Sequence, residues 1–170
     1  MRILLTSGAE ETLLLDLVQE TDLLRKIPMF AKLHASKLKL LAFTSEMVMY
    51  EPGDVVFHAG NPADCVYVIV EGAVDVVTET DSGTLVALTL HENQLIGELA
   101  VLSNAPRSAT LKASNKVTLM KISAEMFLKL LSENSDLALD VMRQLSDKLA
   151  KSHHQVESLQ LQLEQQSSAT

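Results

Sequence analysis

The sequence predicts a mainly β fold flanked by helices. Three observations predict it. β-Branched runs fill residues 45–122, broken by Pro-Gly, Gly-Asn-Pro and Asp-Ser-Gly. Those breaks recur roughly every eight to twelve residues, a spacing that suits an antiparallel sandwich or roll. The flanking segments, residues 1–44 and 123–170, carry helical periodicity instead. The chain has 170 residues, 47% of them hydrophobic, which is enough for one core domain plus extensions.

Taken in order, Ser7 and Glu10 have capping-box spacing, and Leu13, Leu14, Leu17, Val18, Leu23 and Leu24 recur near helical period. Pro28 interrupts this pattern, and a second short helix is expected around His34 to Phe43. In the β region, Val66 to Val70 and Val74 to Val77 flank Glu71-Gly72, a tight reversal. ATLKAS and KVTLMKIS supply two further strands split by a turn at Asn115. Ser123 can cap a short helix through Leu131, and Ser135 with Asp136 can open a long one reaching about Leu163. On that last helix Met142, Leu145, Leu149, Ser152, Val156, Leu159 and Leu163 step by three and four in turn. This is a heptad seam with one polar member, Ser152, and it predicts self-pairing of the helix over residues 136–163. The flanking positions Lys148, His153, Gln155 and Gln160 say little about partner choice.

Composition excludes some classes. The net charge of −8 argues against direct nucleic-acid binding, although a local pocket on an acidic protein can still be positive. No apolar run approaches the ~20 residues that span a bilayer, and MRILL is too short for a signal-peptide core. The single Cys65 cannot form an internal disulfide, consistent with a cytoplasmic setting.

The stretch LIGELAVLSNAPRSAT, residues 95–110, holds one acid and one base in an apolar setting. If a strand ends at Ile96 and a helical turn starts near Glu98, the N–H groups of Leu99 and Ala100 converge on one spot that suits an anion. Gly97 allows close backbone approach, Arg107 can fork onto phosphate oxygens, and Ser108 adds a hydroxyl. Glu98 can accept a hydrogen bond from a sugar hydroxyl and can orient Arg107. Together these groups predict a site for a ribose and a phosphate held side by side.

Gly97-Glu98-Leu99-Ala100 and Pro106-Arg107-Ser108-Ala109-Thr110 resemble the phosphate-binding cassette of the cyclic nucleotide-binding domain family, in the version of the cAMP-dependent kinase regulatory subunits. Glu51-Pro52-Gly53-Asp54, Gly60, Tyr67-Val68-Ile69 and Gly72 fall where that family has its turns and strands. The resemblance implies a double-stranded β-helix (jelly roll) with N-terminal helices and a long C-terminal dimerisation helix. It implies that Glu98 takes the ribose 2′-hydroxyl, that Arg107 takes an exocyclic phosphate oxygen, and that the backbone of Leu99, Ala100 and Ser108 completes the anion nest. It also implies that Val76 and Ala109 border the ligand and that Ser152-His153 reaches the base. Where the family has a glycine before the cassette strand this chain has Asn93, which also tolerates a left-handed backbone.

The expected function is a non-enzymatic sensor that binds cyclic AMP, or with less support cyclic GMP, without a cofactor and without an output domain. It is expected to form a homodimer through the C-terminal helix and to pass the signal to a protein partner the sequence does not name. Two other readings stand beside it. In one, the pocket is vestigial and the helix recruits a partner. In the other, a cupin-type enzyme uses His34, His58, His91, His153 or His154 on a metal, although no His-x-His pair is present. Arg107 and Glu98 could also be a buried structural ion pair. Met47, Met49, Met120, Met126 and Met142 are read as core filler, and Cys65 as a small buried apolar residue.

Overall fold

The computed structural model describes residues 21–81 and 83–168. The expected helix start at Ser7 and Glu10 lies outside the described residues. A helical turn over 21–26 leads into α1 (Ala35–Thr44). Eight strands follow: β1 (Glu46–Tyr50), β2 (Val55–Phe57), β3 (Cys65–Glu71), β4 (Ala73–Thr80), β5 (Gly83–His91), β6 (Leu95–Ile96), β7 (Thr110–Ala113) and β8 (Val117–Ser123). The short α2 (Glu98–Leu102) interrupts them after β6, and α3 (Ala124–Glu133) and α4 (Ser135–Ser168) close the chain.

The strands form two four-stranded antiparallel sheets, ordered β1-β8-β3-β6 and β2-β7-β4-β5. The first sheet is covered on both faces, which explains why CVYVIV of β3 is apolar throughout rather than alternating. Successive side chains point to opposite faces. Cys65, Tyr67 and Ile69 join the cluster between the sheets, with Val117 and Leu119 of β8. Val66 and Val68 join a second cluster, with Met120, Ile122, Leu38, Phe127 and Leu137, under the helices. The two sheets with flanking helices are the mainly β architecture that the turn spacing predicts.

Local chemistry places the turns. Gly72, between β3 and β4, has φ +89°, and a Cβ there would lie 2.5 Å from the Lys116 carbonyl oxygen, so only glycine fits. Asn93 takes φ 67°, the left-handed conformation expected of it. The Ser123 hydroxyl caps α3 by accepting from the Met126 N–H at 3.2 Å. α3 runs to Glu133 and α4 to Ser168, each past its expected end. Lys37 of α1 clips to Glu133 at the end of α3, 3.0 Å apart.

The first turns of α4 are anchored by Leu137 and Val141, which are buried; beyond them Met142, Leu149, Val156, Leu159 and Leu163 are exposed. Three methionines depart from the core role expected of them. Met47, Met49 and Met142 are exposed, and Met120 is buried. Met47 and Met49 lie on β1, an edge strand of the first sheet whose burial pattern leaves them outside the core.

Candidate ligand-binding site

The site forms where β6 gives way to α2. Gly97 makes the bend in the left-handed region, φ 78°, ψ 2°. A Cβ at this position would lie 2.3 Å from Arg107 Nη1, so the guanidinium occupies the space that any side chain would need. After α2 the chain returns through Asn104, also left-handed at φ 50°, to Pro106 and Arg107. Main-chain bonds pin Arg107 to the turn at 60–61: its N–H donates to the Asn61 carbonyl (2.9 Å), and its carbonyl accepts from the Gly60 N–H (2.8 Å).

The Arg107 side chain points inward and is 4% exposed. Nη1 donates to the Gly97 carbonyl (3.0 Å) and Nη2 to the Cys65 carbonyl (2.7 Å), with the Cys65 sulfur 3.4 Å away. Its Cζ lies 4.4 Å from the centroid of the Phe57 ring, and Phe57 stacks in turn on Tyr67 at 6.1 Å. Asp64 stands 4.0 Å off, mostly in solvent. Nε is buried with no hydrogen-bond partner among the described residues. Behind the guanidinium, burial pushes the Cys65 thiol and the Tyr67 and Tyr50 phenols above their ordinary values.

Glu98 is 3% exposed, yet it does not orient Arg107 as expected. Its Oε1 accepts instead from Lys148 Nζ of α4 at 2.6 Å, and the same ammonium donates to the Leu95 carbonyl. One turn earlier on α4, Gln144 Oε1 accepts from the Leu95 N–H at 3.0 Å, and its Nε2 donates to the Asn93 carbonyl at 3.4 Å. The alternative of a direct Arg107–Glu98 ion pair is therefore corrected: each charge has its own partners.

A cavity of about 530 Å³ opens between these groups and α4. Gly97, Glu98, Leu99, Ala100, Arg107, Ser108 and Ala109 line one end; Val76, Leu88, Leu90 and Ile96 supply apolar wall; Leu145, Lys148, Leu149 and Ser152 roof it. His153 is not in this lining. It points to solvent and lies 3.3 Å from Glu157 on its own helix. The reading from sequence missed Lys148, Gln144 and Phe57. The helical signal for the first two was their spacing of four, which puts them on one face with Ser152, eight beyond Gln144. Nothing local marked Phe57. Among the described residues no group of three His, Cys, Asp or Glu side chains could hold a metal ion. The arrangement suits a molecule with a flat apolar part at one end and an anion with a hydroxyl at the other.

The family model described as the cyclic nucleotide-binding domain matches residues 47–134. The cAMP-dependent protein kinase regulatory subunit of Blastocladiella emersonii is 31% identical over 115 residues, 67% of this chain and 28% of that protein. A cyclic nucleotide-gated potassium channel of Rhizobium etli is 32% identical over 136 residues, 80% of this chain and 37% of the channel. Among solved structures, the regulatory subunit of a cAMP-independent protein kinase A from Trypanosoma brucei superposes with TM-score 0.66 and 25% identity, over 83% of this chain and 52% of that one. The chain belongs to the cyclic nucleotide-binding domain family. It spans little more than a third of the curated relatives at most, 28% of the kinase subunit and 37% of the channel.

Proposed function

We propose that the protein is a sensor module that binds a cyclic nucleotide, cyclic AMP in preference to cyclic GMP, and reports it through α4. One observation carries the reading. A guanidinium is buried at the polar end of an apolar cavity, with Nε unpartnered among the described residues and a buried carboxylate across the same space. A cyclic phosphate would meet Arg107 and the backbone of Leu99, Ala100 and Ser108. The ribose would meet Glu98, and the base would lie against Val76 and under Ser152. The cyclic-AMP preference draws on the cAMP-dependent kinase subunit among the relatives. Ser108 also offers a hydroxyl to a guanine amino group, so cyclic GMP belongs in the test.

The exposed row of Met142, Leu149, Val156, Leu159 and Leu163 supports self-pairing of α4 into a homodimer. Ser152 belongs both to that seam and to the cavity roof, so a ligand touching it would bear on the interface. We place the protein in the cytoplasm, with no catalytic role and no direct contact with nucleic acid. No helix among the described residues is long and apolar enough to cross a membrane.

Thermal melting with each nucleotide tests the reading. Ligand at ~100 times Kd should add about 2.7 kcal/mol, a rise of several degrees for a domain of this size. Arg107→Lys should remove most of that rise. Arg107→Ala is the poorer variant, because it also strips donors from the Cys65 and Gly97 carbonyls and so loosens the fold. Cooperative melting with no response to either nucleotide would instead favour a vestigial pocket on an interaction module.

A further inference from the structure

We propose that Lys148 is a sugar-selectivity residue: by holding the Glu98 carboxylate at the cavity wall, this lysine makes recognition of a ribose 2′-hydroxyl depend on α4. The inference rests on the cyclic-nucleotide reading above and adds to it a residue outside the cassette.

The contact joins parts of the chain far apart in sequence. Glu98 lies at the start of α2, and Lys148 reaches it from α4 with an N–O distance of 2.6 Å. The carboxylate side chain is 4% exposed and the lysine side chain 20%. A carboxylate so thoroughly removed from water needs a cation or several donors to stay in place. Arg107 does not serve it, since its two terminal nitrogens are directed at the Gly97 and Cys65 carbonyls. Lys148 is the cation that does.

The geometry leaves room for a ligand at the same carboxylate. An ammonium has three N–H groups, and two are accounted for by Leu95 O and Glu98 Oε1. A carboxylate accepts on two oxygens, so Oε2 can take a sugar hydroxyl while Oε1 keeps the lysine. The lysine is itself seated. β6 is the last strand in its sheet, so its outer edge has no neighbouring strand. Gln144 and Lys148 occupy that edge, one accepting from the Leu95 N–H and the other donating to the Leu95 carbonyl. The helix is thus registered both to the backbone that carries Glu98 and to the carboxylate. Without the ammonium, Glu98 would turn toward other donors and lose the fixed direction in which a 2′-hydroxyl meets it.

Calorimetric titration of the full chain with cyclic AMP and with 2′-deoxy cyclic AMP reads the effect as a ratio. The wild-type protein should prefer the ribonucleotide by on the order of 10- to 100-fold, the worth of a hydrogen bond to a charged acceptor. Lys148→Met should bring that preference below about threefold, and Lys148→Arg should restore it. Lys148→Gln, which keeps a donor for Leu95 without the charge, should behave like Lys148→Met. Melting curves establish that each variant is folded. A lysine that is only structural, or that only contacts phosphate, would weaken both nucleotides equally. A wild-type ratio in Lys148→Met and Lys148→Gln, or equal losses for both ligands, overturns the proposal. Wild-type protein that binds neither nucleotide overturns the cyclic-nucleotide reading beneath it. Wild-type protein that binds both equally overturns the role of Glu98.

Discussion

Gly97 answers to two constraints at once: a left-handed φ of 78° and a guanidinium 2.3 Å from where a Cβ would be. Gly97→Ala should therefore cost roughly 1–3 kcal/mol of stability and should weaken cyclic nucleotide by more than about tenfold, because Arg107 must move. Urea unfolding and calorimetric titration on the same sample would separate the two effects. The residues behind Arg107 make a second prediction. Burial holds the Cys65 thiol and Tyr67 phenol protonated beyond their ordinary values of 9.0 and 10.0. Both groups are raised in the folded state, so their contribution is complete below the unfolded values. It declines as pH climbs from about 9 upward, where the unfolded chain releases protons that the fold retains. Tyr67→Phe should flatten the loss of stability above pH 10, measured as the urea midpoint from pH 8 to 11. The cassette residues were legible at this scale because Gly97, Glu98 and Arg107 lie within eleven positions and their roles follow from side-chain chemistry. Lys148 was not. It lies fifty positions from Glu98, and on its own helix it reads as one more charge beside a heptad seam.

The strands were legible where apolar, β-branched runs end at turn residues. β3 and β8 are rich in buried apolar residues on both faces, and Gly72 marks the reversal between β3 and β4. β1 was harder to read, since Met47 and Met49 look like core residues and lie exposed at a sheet edge. The same ambiguity governs α4, where apolar side chains at heptad spacing can face a core or a partner. Here the anchoring residues Leu137 and Val141 are buried and the later seam residues are not. Val156→Lys places a charge in that exposed row, away from the cavity lining. If α4 pairs with a second copy, the variant should halve the mass seen by light scattering. The melting of the β sheets at matched ligand saturation should change little, because exposed substitutions of this kind are usually worth within about 0.5 kcal/mol.

At the scale of the molecule, the fold class followed from turn spacing and from the change of period at residues 45 and 123, features that depend on the backbone more than on any tertiary contact. The placement of α4 over the cavity depends on Gln144, Lys148 and Gln155, the last donating to the Ala87 carbonyl of β5 at 2.9 Å. The spacing of four between Gln144 and Lys148 puts them on one helix face but does not name the backbone groups they meet, so the sequence alone did not reveal where the helix would rest. The helix outruns those attachments. From Gln155, the last of them, to its end at Ser168 it extends about 20 Å at 1.5 Å per residue. If ligand binding tilts α4 against those attachments, this free length acts as a lever. Each degree of such a tilt would sweep the far tip through roughly 0.3 Å, so a tilt of a few degrees would displace the tip by about 1 Å.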